Sequence, residues 1–396
     1  MVAGEGRVTA TEDRHTAPIF LDHGTTTPCD PRVVEAMLPY FTALPISPTG
    51  SVHQAAREVN EAIERAREQM AGLIGARAKE IIFTSGATEA NNLAILGLAR
   101  GAGEGRRTIV TTVIEHKSVL APCRDLRRQG FEVIELPVSR DGVVDLAAAD
   151  AAIDESTLLV SIQLANGEVG TIQPVAELAT IARERGAYVH CDAAQGLGRI
   201  PIDVDVLGVD LLSVSAHKCY GPKGVGALYV RGGAYALPLR AIVLGGGQER
   251  GLRSGTLNVP GIVGFGEACR LAEEALPGEM VRLAELRDRF EVGLTTQVPG
   301  VTINGAGAAR LPGSTNVTIA GVDAEALIVN LPEVIIGTGS ACTSGAPEPS
   351  YVLLAMGLSG RVAYETVRAG LGGDIQSLAI TKAIAQIAAV AASVKY

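Results

Sequence analysis

The chain has 396 residues, of which 47% are hydrophobic and 19% are charged, and its formal net charge is −9. This composition is typical of a globular protein rather than a disordered one, and the length allows about two domains. The excess of acidic residues argues against a protein that coats nucleic acid, so we expect no direct nucleic-acid binding.

The first 17 residues include Glu5, Glu12 and Asp13 and lack the apolar segment of a signal peptide. We expect residues 1–17 to form a flexible leader. The cysteines form neither a CxxC pair nor a zinc-binding spacing, so no metal site is expected. Their pattern suits a reducing cytoplasm better than a disulfide framework. They lie at positions 29, 123, 191, 219, 269 and 342.

Short apolar runs alternate with helical patterns between residues 80 and 231. Helices are predicted at 118–129 and 174–185, and the second begins with a proline in a first-turn position. This alternation predicts an α/β fold with a doubly wound, mostly parallel sheet. The last strand follows its predecessor closely, which favours an antiparallel direction for it. The predicted strands are 81–84, 108–113, 131–136, 157–163, 187–191, 210–215 and 227–230.

The pattern after residue 255 is α+β and predicts a smaller C-terminal domain. We expect a large domain at 18–260, of which 18–75 packs partly on the small domain, and a small domain at 261–396. Lys382 and Gln386 interrupt the apolar tail 375–394, which favours a buried terminal helix over a membrane span. The predicted elements are helices at 261–275 and 279–297, a strand at 314–320, a helix at 323–331, a strand at 334–336 and two further helices.

Cys342 lies in a run of small residues, 337–346, that offers little for a buried thiol to pack against. This setting predicts a cysteine on a loop that can move. A glycine-rich turn with an incidental cysteine would have the same composition. The cysteine gains significance from a second group of residues around Lys218.

Segment 84–92 follows a predicted strand and opens a helix, with Ala87 and Thr88 in its first turn. Small residues there let backbone N–H groups approach an anion, and the helix dipole favours a phosphate. Thr88 adds a hydroxyl donor. An ordinary helix cap would look the same in isolation.

Asp192 ends a predicted strand, where open α/β sheets bind ligands. A buried aspartate needs a charged partner, and a protonated pyridine nitrogen would satisfy it. The alternative is an N-cap for the next helix.

Lys218 also lies just past a strand, between Ser213–Ser215 and a Gly-Pro turn. A confined lysine loses its proton more easily and can form a Schiff base; the alternative is a surface lysine.

An anion-binding helix start, a pyridinium partner and a Schiff-base lysine are the set that pyridoxal phosphate requires. Ser215 and His217 flank Lys218 and are predicted to bind the phosphate. His116 follows the strand 108–113 and is predicted to stack on the cofactor ring or to move protons. A packed or capping histidine is the alternative.

These segments resemble the pyridoxal-phosphate-dependent cysteine desulfurases, which have the class V aminotransferase fold type within the type I fold of pyridoxal-phosphate transferases. The resemblance runs from Leu21 to about Gly372 and is closest to the group with a longer loop, which serves iron–sulfur assembly and tRNA thiolation. It is carried by the segments at 21–28, 85–89, 115–117, 192–195, 215–218, 250–256, 339–344 and 348–353.

The resemblance implies a role for each matching residue. Lys218 would bond the cofactor, Asp192 would pair with its ring nitrogen, and His116 would stack over the ring. Gln195 and Asn166 would bind the cofactor's phenolic oxygen and nearby groups, and Asn166 would also contact substrate. The phosphate would be held by Ala87, Thr88, Ser215 and His217, and by Thr256 of a neighbouring subunit. Arg368 would bind the substrate carboxylate.

The same resemblance implies that Cys342 takes sulfur from L-cysteine as a persulfide, leaving L-alanine, and passes it to an acceptor protein. The thiolate is required because a neutral thiol is a poor nucleophile. A homodimer in the cytoplasm is expected, with no membrane partner. A selenocysteine lyase or another C–S lyase is the alternative enzyme, and a regulatory partner in sulfur transfer is the alternative without catalysis.

One position departs from the family pattern. The family often has two asparagines before the glutamate of segment 165–170, whereas this chain has Asn166 and then Gly167. The resemblance implies that the second asparagine contacts the phenolic oxygen of the cofactor. We therefore expect one cofactor hydrogen bond to be lost or replaced by water.

Overall fold

The structure is a computed structural model that describes residues 18–48, 53–103, 105–339 and 348–395. The leader expected at 1–17 lies outside these residues. In chain order the strands are β1 (Ile19–Phe20), β2 (Ile81–Thr84), β3 (Thr108–Thr112), β4 (Glu132–Leu136), β5 (Thr157–Gln163), β6 (Tyr188–Asp192), β7 (Leu211–Ser215), β8 (Gly226–Val230), β9 (Val301–Asn304), β10 (Ser314–Ile319), β11 (Val334–Ile335), β12 (Gly337–Thr338) and β13 (Thr366–Gly370).

Helices cover both faces of the largest sheet and connect it to the smaller, four-stranded sheet. They are α1 (Pro31–Met37), α2 (Gln54–Leu73), α3 (Ala87–Gly101), α4 (Lys117–Arg128), α5 (Leu146–Ala152), α6 (Val175–Glu184), α7 (Val204–Leu207), α8 (Val259–Gln297), α9 (Ala324–Val329), α10 (Tyr351–Ala355), α11 (Gly360–Tyr364) and α12 (Ser377–Val394). Short 3₁₀ turns lie at Leu38–Tyr40, Ala78–Glu80, Ala216–Lys218 and Glu249–Gly251.

The largest sheet has seven strands in the order β2-β8-β7-β6-β5-β3-β4. Strands β3 to β7 are parallel, whereas β8 pairs antiparallel with β7 and β2. The antiparallel direction predicted for 227–230 is therefore confirmed. Every residue of β3, β5 and β7 is buried, as expected for apolar strands that are covered on both faces. The parallel strands end at one edge, and the candidate site lies there.

A second core surrounds a four-stranded antiparallel sheet in the order β12-β13-β10-β9. Val317, Val367 and Ile384 belong to this core, and Leu21 from the start of the described chain joins it. β1 pairs in parallel with β11, which ties that N-terminal segment to the C-terminal part of the molecule.

Strand β13 was missed by the sequence analysis, which predicted only two helices after 334–336. The structure has α10, α11, β13 and α12 there. β13 reads Thr-Val-Arg-Ala-Gly, a mixture of polar, charged and small residues that gives no strand pattern. Pairing with β10 and β12 on its two sides makes it a strand.

The prediction of two helices at 261–275 and 279–297 is wrong, because α8 is continuous across Pro277. An internal proline costs a helix roughly 3 kcal/mol. Packing at both ends offsets this cost. Phe265 lies in the core of the large sheet, and Phe290 lies in the second core. α8 is therefore one continuous helix that joins the two cores.

The apolar tail forms α12, which is long and apolar enough to cross a membrane by length and composition alone, with 28% of its residues buried. Its buried positions recur at helical spacing and pack in the second core. They are Ile380, Ala383, Ile384, Ile387 and Ala391. The terminal helix that was predicted to be buried is thus buried along one face.

Helices α2 and α8 cross closely at Gly266, where a Cβ atom would lie 2.4 Å from Ala66 Cα. Gly266→Ala is therefore expected to lower the free energy of unfolding by roughly 1–3 kcal/mol. Gly278→Ala is the matched control in the same helix, because no atom lies within 4 Å of that Cβ position. The control is expected to stabilise by up to ~1 kcal/mol, since alanine is the better helix former. Urea unfolding measures both, and equal stabilisation by the two changes would contradict this packing.

Glu115 is fully buried in the turn that leads from β3 to His116. Its Oε1 accepts a hydrogen bond from Thr112 Oγ1 at 2.6 Å, whereas Oε2 has no partner within the described residues. Burial raises the pKa of Glu115 to about 8, against the hydrogen bond from Thr112, which lowers it. The side chain is thus held as a neutral acid near neutral pH.

A carboxyl with a higher pKa in the folded than in the unfolded chain binds more protons when folded, so stability falls as pH rises between those values. For Glu115 the window runs from 4.5 to about 8. Glu115→Gln is expected to flatten that fall and to exceed the wild-type free energy of unfolding by roughly 1–3 kcal/mol at pH 8. Urea unfolding across this range measures the effect. The control, Glu132→Gln, changes an exposed residue, and an identical pH profile for all three proteins would contradict the assignment.

Candidate active site

The predicted site residues converge at the carboxyl edge of the parallel strands. Asp192 ends β6, Ser215 ends β7, and Lys218 closes the 3₁₀ turn that follows. His116 follows β3 and is the N-cap of α4. The charges of Asp192 and Lys218 both act on the His116 imidazole, so these three side chains share one cleft.

Lys218 presents a half-buried amine whose Nζ donates to the Gly24 carbonyl at 3.2 Å. Within the described residues, no carboxylate lies at ion-pair distance from it. Burial, followed by the charge of Arg199, lowers the pKa of Lys218 to about 8, against the opposing charge of Asp192. A larger share of neutral amine at neutral pH makes this lysine a competent nucleophile.

Arg199 is the neighbour that the sequence analysis missed. Its guanidinium donates to the carbonyl oxygens of His23 and Lys218 and to Gln195 Oε1, the last at 3.3 Å. Burial is the main cause that lowers the pKa of Arg199. The arginine follows the Asp192–Gln195 segment by four positions, but nothing in its local pattern separates it from a surface arginine.

Asp192 is buried, with 6% of its surface exposed. Its Oδ2 accepts from Asn91 Nδ2 at 2.7 Å, and its Oδ1 accepts from the Ala194 N–H at 3.0 Å. No basic side chain in the described part of the chain lies at ion-pair distance from this carboxylate. A cationic ring nitrogen is a chemically suitable partner for it.

The first turn of α3 has the form of an anion site. Gly86 is its N-cap with φ +152° and provides no side-chain cap, so the N–H groups of this helix start are open to a ligand. Ala87 and Thr88 are the first two helical residues. A Cβ atom on Gly226 of β8 would lie 2.7 Å from Gly86 Cα, so only glycine fits that close approach.

Ser215 and His217 lie beside this helix start. A Cβ atom on Gly86 would sit 4.0 Å from Ser215 Oγ. His217 Nδ1 contacts Thr26 Oγ1 at 3.1 Å, and the His217 carbonyl accepts from the Thr27 N–H at 2.8 Å. Burial and the charge of Lys218 lower the pKa of His217 to about 4, so its imidazole is neutral at neutral pH.

Gln195 occupies the space beside Gly167. A Cβ atom on Gly167 would lie 2.6 Å from Gln195 Nε2, which itself donates to the Gly24 carbonyl at 3.1 Å. Any larger residue at 167 would therefore displace the Gln195 amide. This contact gives the departure from the family pattern at Gly167 a local packing reason.

Asn166 holds the turn after β5. Its Oδ1 accepts from the N–H groups of Glu168 and Val169 at 2.8 and 3.0 Å, and its Nδ2 donates to the Ile114 carbonyl at 3.1 Å. One Nδ2 hydrogen has no acceptor in the described part of the chain. The side chain is therefore mainly a turn-forming group with one donor left for a ligand.

Arg368 projects from β13 toward the N-terminal segment. Its Nε lies 3.4 Å from Asp22 Oδ1, and one Nη donates to Thr25 Oγ1. Asp22 and Thr25 thus fix one side of the guanidinium. The charge of Arg368 also acts on Lys218, so it faces the same cleft.

Glu168 was not singled out from the sequence, although it lies close to several of these groups. Its Oε2 accepts from Ser350 Oγ at 2.5 Å, and a Cβ atom on Gly339 would lie 2.4 Å from the same oxygen. Burial raises the pKa of Glu168 to about 7, against that hydrogen bond and the charge of Arg368.

The roles predicted for two further site residues are not tested by contacts within the described part of the chain. Thr256 is exposed, and its side chain makes no hydrogen bond to another described residue. Cys342 lies outside the described residues, between Gly339 and Glu348.

The residues of this cleft fit pyridoxal phosphate. The cofactor aldehyde would bond to the lysine with the lowered pKa. Its ring nitrogen would pair with the buried carboxylate, and its phosphate would bind at the uncapped helix start. None of the three has a charged partner among the residues that the structure describes. The chemistry of this donor set therefore matches the cofactor group by group.

Comparison with known proteins gives the same assignment. The family model described as aminotransferase class-V matches residues 19–378. A cysteine desulfurase IscS from Anaeromyxobacter dehalogenans is 51% identical over 90% of this chain and 88% of that protein.

Two solved structures are also similar to this chain. One is a NifS-like protein, at 36% identity and a TM-score of 0.88 over 95% of this chain and all of that one. The other is titled SspA in complex with cysteine, at 37% identity and a TM-score of 0.80 over 89% of this chain and 98% of that one.

The resemblance stated from the sequence, with its α/β fold, its enzymatic activity and its cofactor, is thereby confirmed. The chain belongs to the class-V aminotransferase family and is, within it, a pyridoxal-phosphate-dependent cysteine desulfurase.

Proposed function

We propose that the cleft around Lys218 takes sulfur from L-cysteine and transfers it to Cys342 as a persulfide, with L-alanine as the second product. The observation that carries this proposal is the Lys218 amine, which has a lowered pKa and no carboxylate partner within the described residues. Such an amine is poised to bond an aldehyde.

When bound, pyridoxal phosphate withdraws electrons from the α-carbon of an attached amino acid. Lys218 would hold the cofactor aldehyde, and Asp192 would keep a positive charge on the ring nitrogen. The phosphate would be bound by Ala87, Thr88, Ser215 and His217. Gln195 and Asn166 would reach the phenolic oxygen with their remaining amide hydrogens.

Arg368 orients the substrate, because a planar guanidinium binds a carboxylate through two parallel hydrogen bonds. Asp22 and Thr25 hold it ready for that task. The one amide hydrogen that Asn166 has left can be shared between the phenolic oxygen of the cofactor and the substrate. His116 lies over the cleft, where its imidazole gives a proton to the substrate or takes one from it.

Sulfur transfer requires Cys342 as a thiolate. Its sulfur attacks the sulfur of bound cysteine, so an S–S bond forms while the C–S bond breaks. The electron pair stays on the carbon fragment, which takes up protons and leaves as alanine. Cysteine and the enzyme thiol are thus converted to alanine and an enzyme persulfide, and atoms and electrons balance.

The persulfide passes to a sulfur-acceptor protein of an iron–sulfur or thiolation pathway in the cytoplasm. A homodimer is proposed because Thr256 is exposed and its side chain makes no hydrogen bond to another described residue. In the dimer Thr256 would reach the phosphate of the neighbouring subunit. Neither a membrane nor nucleic acid is proposed as a direct partner.

Lys218→Ala is expected to abolish the visible absorption band that pyridoxal phosphate gives when it is bonded to a lysine. The removed amine is the only half-buried one in the described cleft, so no other group can replace it. Lys223→Ala is the matched control, because Lys223 is exposed five residues further on. A wild type that binds no cofactor when it is supplied, or a Lys218→Ala variant that keeps the band, would contradict the assignment.

Cys342→Ser is expected to abolish the added sulfur atom that mass spectrometry detects on the protein after incubation with L-cysteine. A serine hydroxyl cannot hold sulfur as a persulfide, whereas the cofactor absorption should remain at the wild-type level. Cys29→Ser is the control, since Cys29 is the partly exposed cysteine among those described. Sulfide release that survives Cys342→Ser would favour a C–S lyase. Intact cofactor binding with no product from cysteine would favour a regulatory protein.

A further inference from the structure

A chain of buried side chains connects Asp192 to His116. Asn91 Nδ2 lies 2.7 Å from Asp192 Oδ2 and 2.8 Å from Ser118 Oγ. Ser118 Oγ lies 2.7 Å from His116 Nδ1. Asn91 is fully buried, and Ser118 is 7% exposed. The two residues that join the ends of this chain belong to α3 and α4, and neither was singled out from the sequence.

The orientation of the Asn91 amide follows from its surroundings. One terminal atom contacts both Asp192 and Ser118, while the other, Oδ1, has no partner in the described part of the chain. With nitrogen at the shared position, two N–H groups are satisfied and one acceptor is not. The flipped amide would place an oxygen against a carboxylate and leave two buried donors without acceptors, which costs more.

The Ser118 hydroxyl accepts from Asn91, so its own hydrogen is available for His116. The backbone N–H of Ser118 also points at His116 Nδ1, at 3.1 Å. Both groups are donors, and Nδ1 therefore acts as an acceptor. In a neutral imidazole with an accepting Nδ1, the proton resides on Nε2.

We propose that Asn91 and Ser118 are positioning residues that fix neutral His116 with its proton on Nε2 and link it to the Asp192 carboxylate. This inference rests on the proposed role of His116 in moving protons. It assigns a direction to that role, because Nε2 is the ring nitrogen without a hydrogen-bond partner among the described residues and donates first. Ser118 also fixes the ring plane, since its hydroxyl and its backbone N–H both donate to Nδ1.

The charges that face the imidazole are those of Asp192 from β6, Lys218 from the turn after β7, and Lys117, which follows His116 in the chain. Desolvation lowers the pKa of His116, both lysines act in the same direction, and Asp192 opposes them. Donors aimed at Nδ1 also favour the neutral ring. Removing the Ser118 hydroxyl should therefore raise the pKa of His116.

The test is nitrogen-15 NMR of the cofactor-loaded protein labelled at histidine, with His116→Gln to assign the signals. In the wild type, Nδ1 is expected to show the shift of an unprotonated acceptor and Nε2 that of a protonated nitrogen. In Ser118→Ala the two shifts should move toward each other, and the His116 titration midpoint should rise by roughly half a pH unit or more. Ser118→Thr keeps a hydroxyl and should restore both values.

Ser161→Ala is the matched control. It removes a buried serine hydroxyl that lies 2.8 Å from Nδ1 of another histidine, His190, and should leave the His116 signals unchanged. A protonated Nδ1 in the wild type, or identical His116 shifts and midpoints in wild type and Ser118→Ala, would overturn the inference. If the predicted shifts are found in a protein that does not desulfurate cysteine, the positioning role stands and the proposed function fails.

Discussion

The arrangement around Lys218 depends on two neighbouring cations, neither of which has a carboxylate at ion-pair distance among the described residues. Lys218 and Arg199 are held by main-chain carbonyls of the N-terminal segment, at Gly24 and His23. A carbonyl can satisfy a donor without adding negative charge. The lysine therefore keeps its place while its pKa is lowered. A glutamate in the same position would stabilise the ammonium form and remove the nucleophile.

Other groups of the cleft are likewise satisfied without a charged partner. Asp192 is satisfied by an amide and a backbone N–H rather than by a cation, and the start of α3 has no side-chain cap. In an ordinary core, each of these groups would be paired with an opposite charge or a capping side chain of the protein. Among the described residues they have no such partner, so that one ligand can satisfy all of them.

The two cores meet in this site because distant parts of the chain contribute to it. The large sheet provides Asp192 and the Lys218 turn, while β13 of the second sheet provides Arg368. The segment around Asp22 and Gly24 crosses between them and contacts Arg368, Gln195 and Lys218. α8 packs into both cores and holds their relative position.

Residues with a local signature could be predicted from the sequence. Asp192 ends β6, Lys218 closely follows β7, and the start of α3 follows β2 with a glycine, so their place at the sheet edge could be predicted from the strand positions. Arg199, Asn91 and Ser118 could not be found in this way, because their roles depend on contacts with residues 19 to 176 positions away in the chain. β13 was missed for the same reason, since pairing with β10 creates it.

The most direct test of this account is the pKa of Lys218 in the cofactor-free protein, measured by competitive labelling of its amine with an acylating reagent across a pH range. The reactivity of Lys218 should rise through a midpoint near 8. A midpoint at the ordinary lysine value of 10.5 would contradict it, because the amine would then be a fully charged ammonium with no special reactivity.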